Sequence, residues 1–480
     1  MAGLPLADDS PTDDLPGVVP PSARLPPADD PLPADLPGAG LPSARLPSAG
    51  LPDADRRRAV LLVANTAAPY SRGLRVARSL AEVGWEVEIA AVAVAGVPRE
   101  ERDGEVVTRR YVPSGPLGRW IGQPPPPRPP TRFLRTLARN ADRALKVALW
   151  PLHVRAWWRT LRRELPTADL YHAFGILTVP IALELAAVAR RSGRRSVVVY
   201  DVIDAILDSN NYQNVPPTVL ERYRRKEADW VRRVDAVVTV NDPLADHCRR
   251  LWPFRERPTV LLNCQPRWTP PAERPDLIRD AAGLPRERRV VLFLGKLGRQ
   301  RGLEMAAEAV LRLEDAALVM LGATVNAQWD ATLHAQSSDP RFRGRHVVLP
   351  PVHPDDVRSW AASADVSIIA VPANSLNQRL STPNKFWESL AAGTPVVIGQ
   401  DLEVMRAIVE DDDLGAVCDP SDPADIARAL GNVLDRSAAD ALALRERCLR
   451  VTAERYNWET AVVPYLRLVD GLRPKETNRS

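Results

Sequence analysis

Asn374-Ser-Leu-Asn-Gln-Arg-Leu-Ser-Thr-Pro-Asn-Lys-Phe-Trp-Glu-Ser-Leu-Ala-Ala-Gly-Thr-Pro-Val-Val397 is the stretch on which the fold turns. It reads as a polar loop, a short helix and the start of a strand. Ser381 or Thr382 is an N-cap residue type, and Pro383 suits a first helical position. Phe386, Leu390 and Ala391 form an apolar stripe at helical spacing. Gly393 ends the helix, and Thr394-Pro-Val-Val-Ile398 opens a strand. Lys385 and Glu388 are three residues apart and share one flank of the helix. Two roles fit them: an ion pair on a structural helix, or a site in which Glu388 accepts ribose hydroxyls and Lys385 reaches phosphate.

Outward from this stretch the same alternation continues. Strands are expected at Val290–Leu294, Ala317–Leu321, His346–Leu349, Val366–Ala370 and Pro395–Ile398, with helices at 302–313, 353–363, 383–392 and 401–409. Gly295-Lys-Leu-Gly-Arg-Gln-Arg-Gly302 lies directly between the first strand and the first helix. Its glycines allow close backbone approach to a ligand, and the helix start offers free N–H groups to an anion. Lys296 and Arg301 flank that point with charge suited to a diphosphate. The spacing is neither the dinucleotide fingerprint nor the P-loop. A basic turn on a solvated surface is the plainer alternative.

The first half follows the same plan. Ala59-Val-Leu-Leu-Val-Ala64 has buried-strand length, a turn-rich loop runs from Asn65 to Gly73, and a helix bearing Leu74, Ala77, Leu80 and Ala81 ends at Gly84. Strands follow at Glu86–Val92, Leu170–Ala173, Ser196–Asp201, Ala236–Val240 and Thr259–Asn263, and helices at about 177–192 and 217–233. The fold class is α/β, with two Rossmann-like doubly wound domains. The expected divisions are a Pro-rich tail over 1–56, one domain over 57–268, a second over 269–460, and a helix over 461–474 that crosses back to the first.

The 480 residues suit two domains plus a tail, and carry a net charge of +4. Residues 1–55 hold nine Asp, two Arg and 13 Pro, with Pro-Ser-Ala-Arg-Leu-Pro at both 21–26 and 42–47. That stretch is −7 and lacks the makings of a core, so it is expected to be disordered. The rest is therefore +11, which suits an anionic partner. No zinc pattern or nucleic-acid module accompanies that charge, so nucleic acid is not expected as a partner. Cys248, Cys264, Cys418 and Cys448 are irregularly spaced, which argues against a disulfide framework and for a cytoplasmic home. Residues 132–163 carry nine Lys/Arg against Asp142 alone, interleaved with Trp150, Trp157 and Trp158. Either a basic helix pair or a peripheral contact with anionic headgroups on the inner membrane face fits that composition.

Over about residues 57–470 the chain resembles the GT-B glycosyltransferases of the family 4 type (glycosyl transferases group 1), in which two Rossmann-like domains face each other across a cleft. The resemblance rests on several segments in order. They are Asn65–Gly73 with Leu-Ala-x-x-Gly84; Ala228-Asp229, Asp235-Ala-Val-Val-Thr-Val240 and Leu262-Asn263; Gly295-Lys-Leu with Arg301-Gly302; and Ala364-Asp365-Val366. Pro383-Asn-Lys385, Glu388 and Gly393-Thr-Pro-Val-Val complete the series. The resemblance implies retaining transfer from a nucleoside-diphosphate sugar, used as co-substrate without cofactor or metal. It further implies a donor site drawn from Gly73, Gly295, Lys296, Arg301, Ser381, Thr382, Lys385 and Glu388. No firm general base follows; His172, Asp201 and Asp204 are candidates by position at strand ends. The chain departs from the family at Leu380, where many members carry the first Glu of E-x7-E, and at Ile203, where many carry His. The resemblance names no acceptor; a lipid-linked or cell-envelope glycan would follow from the membrane reading of the basic segment over 132–163. A GT-B epimerase or hydrolase, or a non-catalytic nucleotide-sugar-binding protein, is the alternative.

Overall fold

The computed structural model describes residues 56–68, 70–115, 152, 154–213, 215–324 and 327–472. The tail over 1–55 and most of the basic segment over 132–163 lie outside them. The described residues hold fourteen strands in two sheets, most of them apolar runs bounded by turn residues. The first eight are β1 (Arg58–Val63), β2 (Glu86–Val92), β3 (Glu100–Asp103), β4 (Val106–Tyr111), β5 (Leu170–Phe174), β6 (Val197–Val202), β7 (Ala236–Thr239) and β8 (Thr259–Val260). They lie in the order β3-β4-β2-β1-β5-β6-β7-β8. Strand β1 runs parallel to both β2 and β5, with Leu61 beside Ile89 and His172. Among the described residues the antiparallel pair is the β3–β4 hairpin, with Glu101 opposite Thr108.

The second sheet holds β9 (Arg289–Leu294), β10 (Ala316–Leu321), β11 (His346–Leu349), β12 (Val366–Ile369), β13 (Val396–Gly399) and β14 (Gly415–Cys418). Its order, β11-β10-β9-β12-β13-β14, is that of a doubly wound mononucleotide-binding sheet read 3-2-1-4-5-6. All its pairings are parallel. The strands read as continuous Val/Ile/Leu because helices cover both faces of such sheets.

The helices used below are α1 (Ser71–Glu82), α2 (Val179–Arg191), α3 (Pro217–Arg233), α4 (Asp242–Leu251), α5 (Leu303–Val310), α6 (Leu376–Leu380), α7 (Asn384–Ala391) and α8 (Val463–Gly471). In α8, Tyr465 is fully buried, and the helix packs on β8. By contacts, the described chain falls into one unit over 56–115 and 152–198 and another over 199–472, divided inside β6.

Several elements differ from the sequence expectation. Strands β3 and β4 were not anticipated, because β4 contains Arg109 and Arg110 where an apolar run would mark a strand. Arg110 is nonetheless buried. Its guanidinium donates to the carbonyls of Thr66 and Pro98 at 2.7 Å each and pairs with Glu101 at 2.6 Å. A charge with each of its three nitrogens engaged is tolerated inside a fold. Gly73 lies in the first turn of α1, not in the preceding loop, and a side chain there would run into the Tyr70 ring. Within the basic segment, Trp157 is a core residue, and Arg162 covers the ring of half-buried Trp158 at 5.4 Å. All four cysteines are buried and free. Among the described residues no helix is long and apolar enough to cross a membrane.

Candidate functional site

In the second sheet the chain builds outward from β9 to β10 and β11, then returns to add β12, β13 and β14 on the other side. Sheets of this kind receive ligands at the carboxyl ends of the strands flanking that reversal, here β9 and β12. Gly295 leaves β9 with φ of +94°, a left-handed conformation that favours glycine. A 3-10 turn over Arg299–Arg301 follows, and Gly302, at φ of +73°, caps α5. A Cβ on Gly302 would collide with the Ala370 carbonyl, so the turn is pressed against the exit of β12.

Lys385 projects from the first turn of α7 towards the same place. A Cβ built on Gly295 would lie 3.8 Å from Lys385 Cε, in ordinary contact. The residue is half-buried as a whole, but its ammonium is out of solvent and has no hydrogen-bond partner. Nζ sits 3.6 Å from the centroid of the Phe293 ring on β9. Desolvation, reinforced by the nearby Arg301 charge and opposed by Glu388, holds its pKa well below the usual lysine value. Arg301 is itself largely removed from water, which lowers its pKa. Thus β9, the glycine turn and α7 bring Gly295, Arg301 and Lys385 together. Glu388 lies close enough to act electrostatically on Lys385, and Lys296 stands exposed on the turn.

The approach to α7 differs from the sequence expectation. Neither Ser381 nor Thr382 caps the helix. Pro383 is the N-cap, at φ −68° and ψ 157°, and it supplies no capping side chain. The supposed loop contains α6, which Ser381 terminates, with its hydroxyl donating to the Gln378 carbonyl at 3.0 Å. The capping side chain in this stretch is Ser375, which accepts from the Gln378 N–H. Thr382 is buried, and its hydroxyl has no partner. The start of α7 therefore presents backbone N–H groups without a side-chain cap, a buried free hydroxyl and a buried free ammonium. Buried polar groups in native proteins are nearly always satisfied. A cluster left unsatisfied at a helix N-terminus, beside a desolvated guanidinium, has the chemistry that suits an anion.

The remaining candidates are carried by other elements. His172, in the centre of β5, is fully buried, with its ring 4.4 Å from that of Phe174. Gly73 is in the same unit, on α1. Asp201 is fully buried on β6, and Asp204 is exposed just beyond it. Among the described residues no cluster of three His, Cys, Asp or Glu side chains is placed to hold a metal ion. Sequence reading missed Phe293 as the floor under Lys385. It also missed a buried pair in which the Tyr200 hydroxyl donates to Glu227 at 2.6 Å. Burial pushes the Glu227 carboxyl up to about 7. Neither has a local signal, since each depends on residues that meet only in the folded chain.

Two α/β sheets, the second wholly parallel and in mononucleotide-binding order, match the GT-B fold of the solved structures that follow. The structure is similar to a sucrose-phosphate synthase from Thermosynechococcus elongatus, with a TM-score of 0.63 and 17% identity, covering 86% of this chain and 98% of that one. HepE from Anabaena in complex with UDP is similar at a TM-score of 0.61 and 13% identity, covering 86% of this chain and 99% of that one. Residues 288–436, the part that carries the glycine turn and α7, match the family model described as glycosyl transferases group 1. Among curated proteins, the chain is 31% identical over 192 residues to a D-inositol 3-phosphate glycosyltransferase of Xylanimonas cellulosilytica, covering 39% of this chain and 44% of that protein. It is 27% identical over 197 residues to a phosphatidyl-myo-inositol mannosyltransferase of Mycobacterium leprae, covering 39% and 48%. The chain thus spans about half the length of these curated relatives.

Proposed function

We propose that this chain transfers a sugar from a nucleoside-diphosphate sugar to an acceptor hydroxyl, with retention. The observation that carries the reading is the unsatisfied Lys385 ammonium beside Arg301, at the strand ends where a mononucleotide-binding sheet takes its ligand. In this reading Lys385, Arg301, Lys296 and the start of α7 bind the diphosphate, Thr382 donates to one of its oxygens, and Glu388 accepts ribose hydroxyls. As the bond from the anomeric carbon to the diphosphate oxygen breaks, negative charge grows on the leaving group. Preorganised cations stabilise that charge most in the transition state. The acceptor oxygen forms the new glycosidic bond, and its proton passes to the departing diphosphate.

Support for an acceptor class comes from the names of two relatives, which refer to inositol-bearing substrates. Inositol phosphates and phosphatidylinositol therefore head the acceptor set, ahead of other lipid-linked glycans. The test is thermal-shift screening of UDP-, GDP-, ADP- and TDP-sugars, followed by turnover against these acceptors. A ligand of the folded state raises the melting temperature by mass action. Arg301→Ala should reduce turnover roughly 10²–10³-fold, the scale of losing one preorganised donor to a developing charge. A loss under about threefold removes Arg301 from the site, and no shift with any nucleoside-diphosphate sugar refutes the reading.

A further inference from the structure

Helix α7 lacks a side-chain cap of its own, so the position of its first turn must come from outside it. Four amide side chains contact that turn or the segment over 374–380 that leads into it. Asn263 Nδ2 donates to Asn384 Oδ1, on the first residue of α7, at 3.0 Å. Asn210 Nδ2 donates to Gln378 Oε1 at 3.0 Å, and Gln213 Nε2 donates to the Asn374 carbonyl at 3.4 Å. Asn241 is the most enclosed of the four, at 2% exposure. Its Oδ1 accepts from the Leu244 N–H at 2.9 Å and so caps α4. Its Nδ2 donates to the Leu380 carbonyl, at the end of α6, at 2.7 Å. One neighbour is a donor and the other an acceptor, so the orientation of this amide is forced. A carboxylate, which only accepts, cannot satisfy both.

We propose that Asn241 is a positioning residue for the nucleotide-binding loop. It ties the exit of α6, and hence Thr382 and the uncapped start of α7, to the fixed start of α4. Without that bond the Leu380 carbonyl is left unsatisfied in a buried place, which favours movement of the loop towards water. A loop that must be ordered at the moment of binding gives weaker binding for the same contacts. The inference rests on the nucleotide reading of the loop.

Asn241→Asp separates the two roles of the side chain. At pH 8 the carboxylate still caps α4, for which Asp serves as well as Asn. It presents an acceptor, however, to the Leu380 acceptor. In the full chain, amide exchange over 374–384 should quicken while α4 stays protected, and the dissociation constants of UDP, ADP or GDP should rise about tenfold. Asn241→Ser, also a good cap but too short to reach Leu380, should behave alike and serves if the Asp variant fails to fold. Exchange over 374–384 and nucleotide affinity both within about twofold of wild type would overturn the proposal. If the wild type binds no nucleoside diphosphate, the functional reading fails, yet faster exchange confined to 374–384 still establishes the tie.

Discussion

Replacing Lys385 with Met should stabilise the protein and weaken its grip on a nucleoside diphosphate. The ammonium is buried without a hydrogen bond and has the face of Phe293 beneath it. Mutational series put a buried unsatisfied polar group at about 1–3 kcal/mol of lost stability. The ring returns part of this, on the order of 0.5–2 kcal/mol for a desolvated cation over an aromatic face. Methionine keeps the stem and the ring contact without the charge, so a net gain of about 1–2 kcal/mol is expected. That corresponds to a rise in Tm of about 2–6 °C. The sign with pH follows from linkage. The folded pKa lies below the ordinary 10.5, so between the two values the unfolded chain binds more protons. The penalty is therefore fully present below the folded pKa and disappears as pH climbs to 10.5. Wild-type stability rises with pH through that interval, and the Met variant lacks this rise. In the proposed reading a bound diphosphate restores the ammonium, so above the folded pKa binding takes up a proton and weakens as pH rises through the same window. Loss of the charged hydrogen bond, about 1.5–3 kcal/mol, raises the dissociation constant roughly 10–150-fold. Scanning fluorimetry from pH 7 to 9.5 and titration calorimetry with UDP, GDP and ADP measure both effects. A Met variant that melts no higher than wild type at any pH, and binds nucleotide as tightly, refutes the reasoning.

Two further outcomes follow from particular side chains. Burial raises the Glu227 carboxyl to about 7 from an ordinary 4.5, so the folded state holds a proton that the unfolded state releases. Its contribution is fully present below pH 4.5 and is lost as pH rises to about 7, at up to about 1.4 kcal/mol per pH unit. In Glu227→Gln, urea midpoints at pH 5 and pH 8 should differ less than in wild type, and an unchanged difference counts against this assignment. Gly302→Ala forces a side chain into a left-handed conformation and against the Ala370 carbonyl. It should cost about 2–4 kcal/mol, read as a lower denaturant midpoint. A midpoint within error of wild type would show that the turn is free to move away from β12.

What the sequence determined is the α/β alternation. Burial on both faces writes a parallel strand as an unbroken apolar run, and β2 and β11 lie just where Glu86–Val92 and His346–Leu349 indicate. The glycine turn, Arg301 and Lys385 were also legible, because φ and charge are properties of single residues. Only the tertiary structure decided what those residues meet. Strand β4 was hidden because Arg110 is charged, and its partners Thr66 and Pro98 are remote in sequence. Ser381 and Thr382 read as caps by residue type, yet the chain enters α7 from a second helix, which turns the Ser381 hydroxyl back onto Gln378. Whether the Lys385 ammonium met solvent, Glu388 or an aromatic face depended on how β9 and α7 pack, and no local pattern records that. Desolvation arises from every neighbour at once, so the property that makes Lys385 a candidate ligand group exists only in the folded chain.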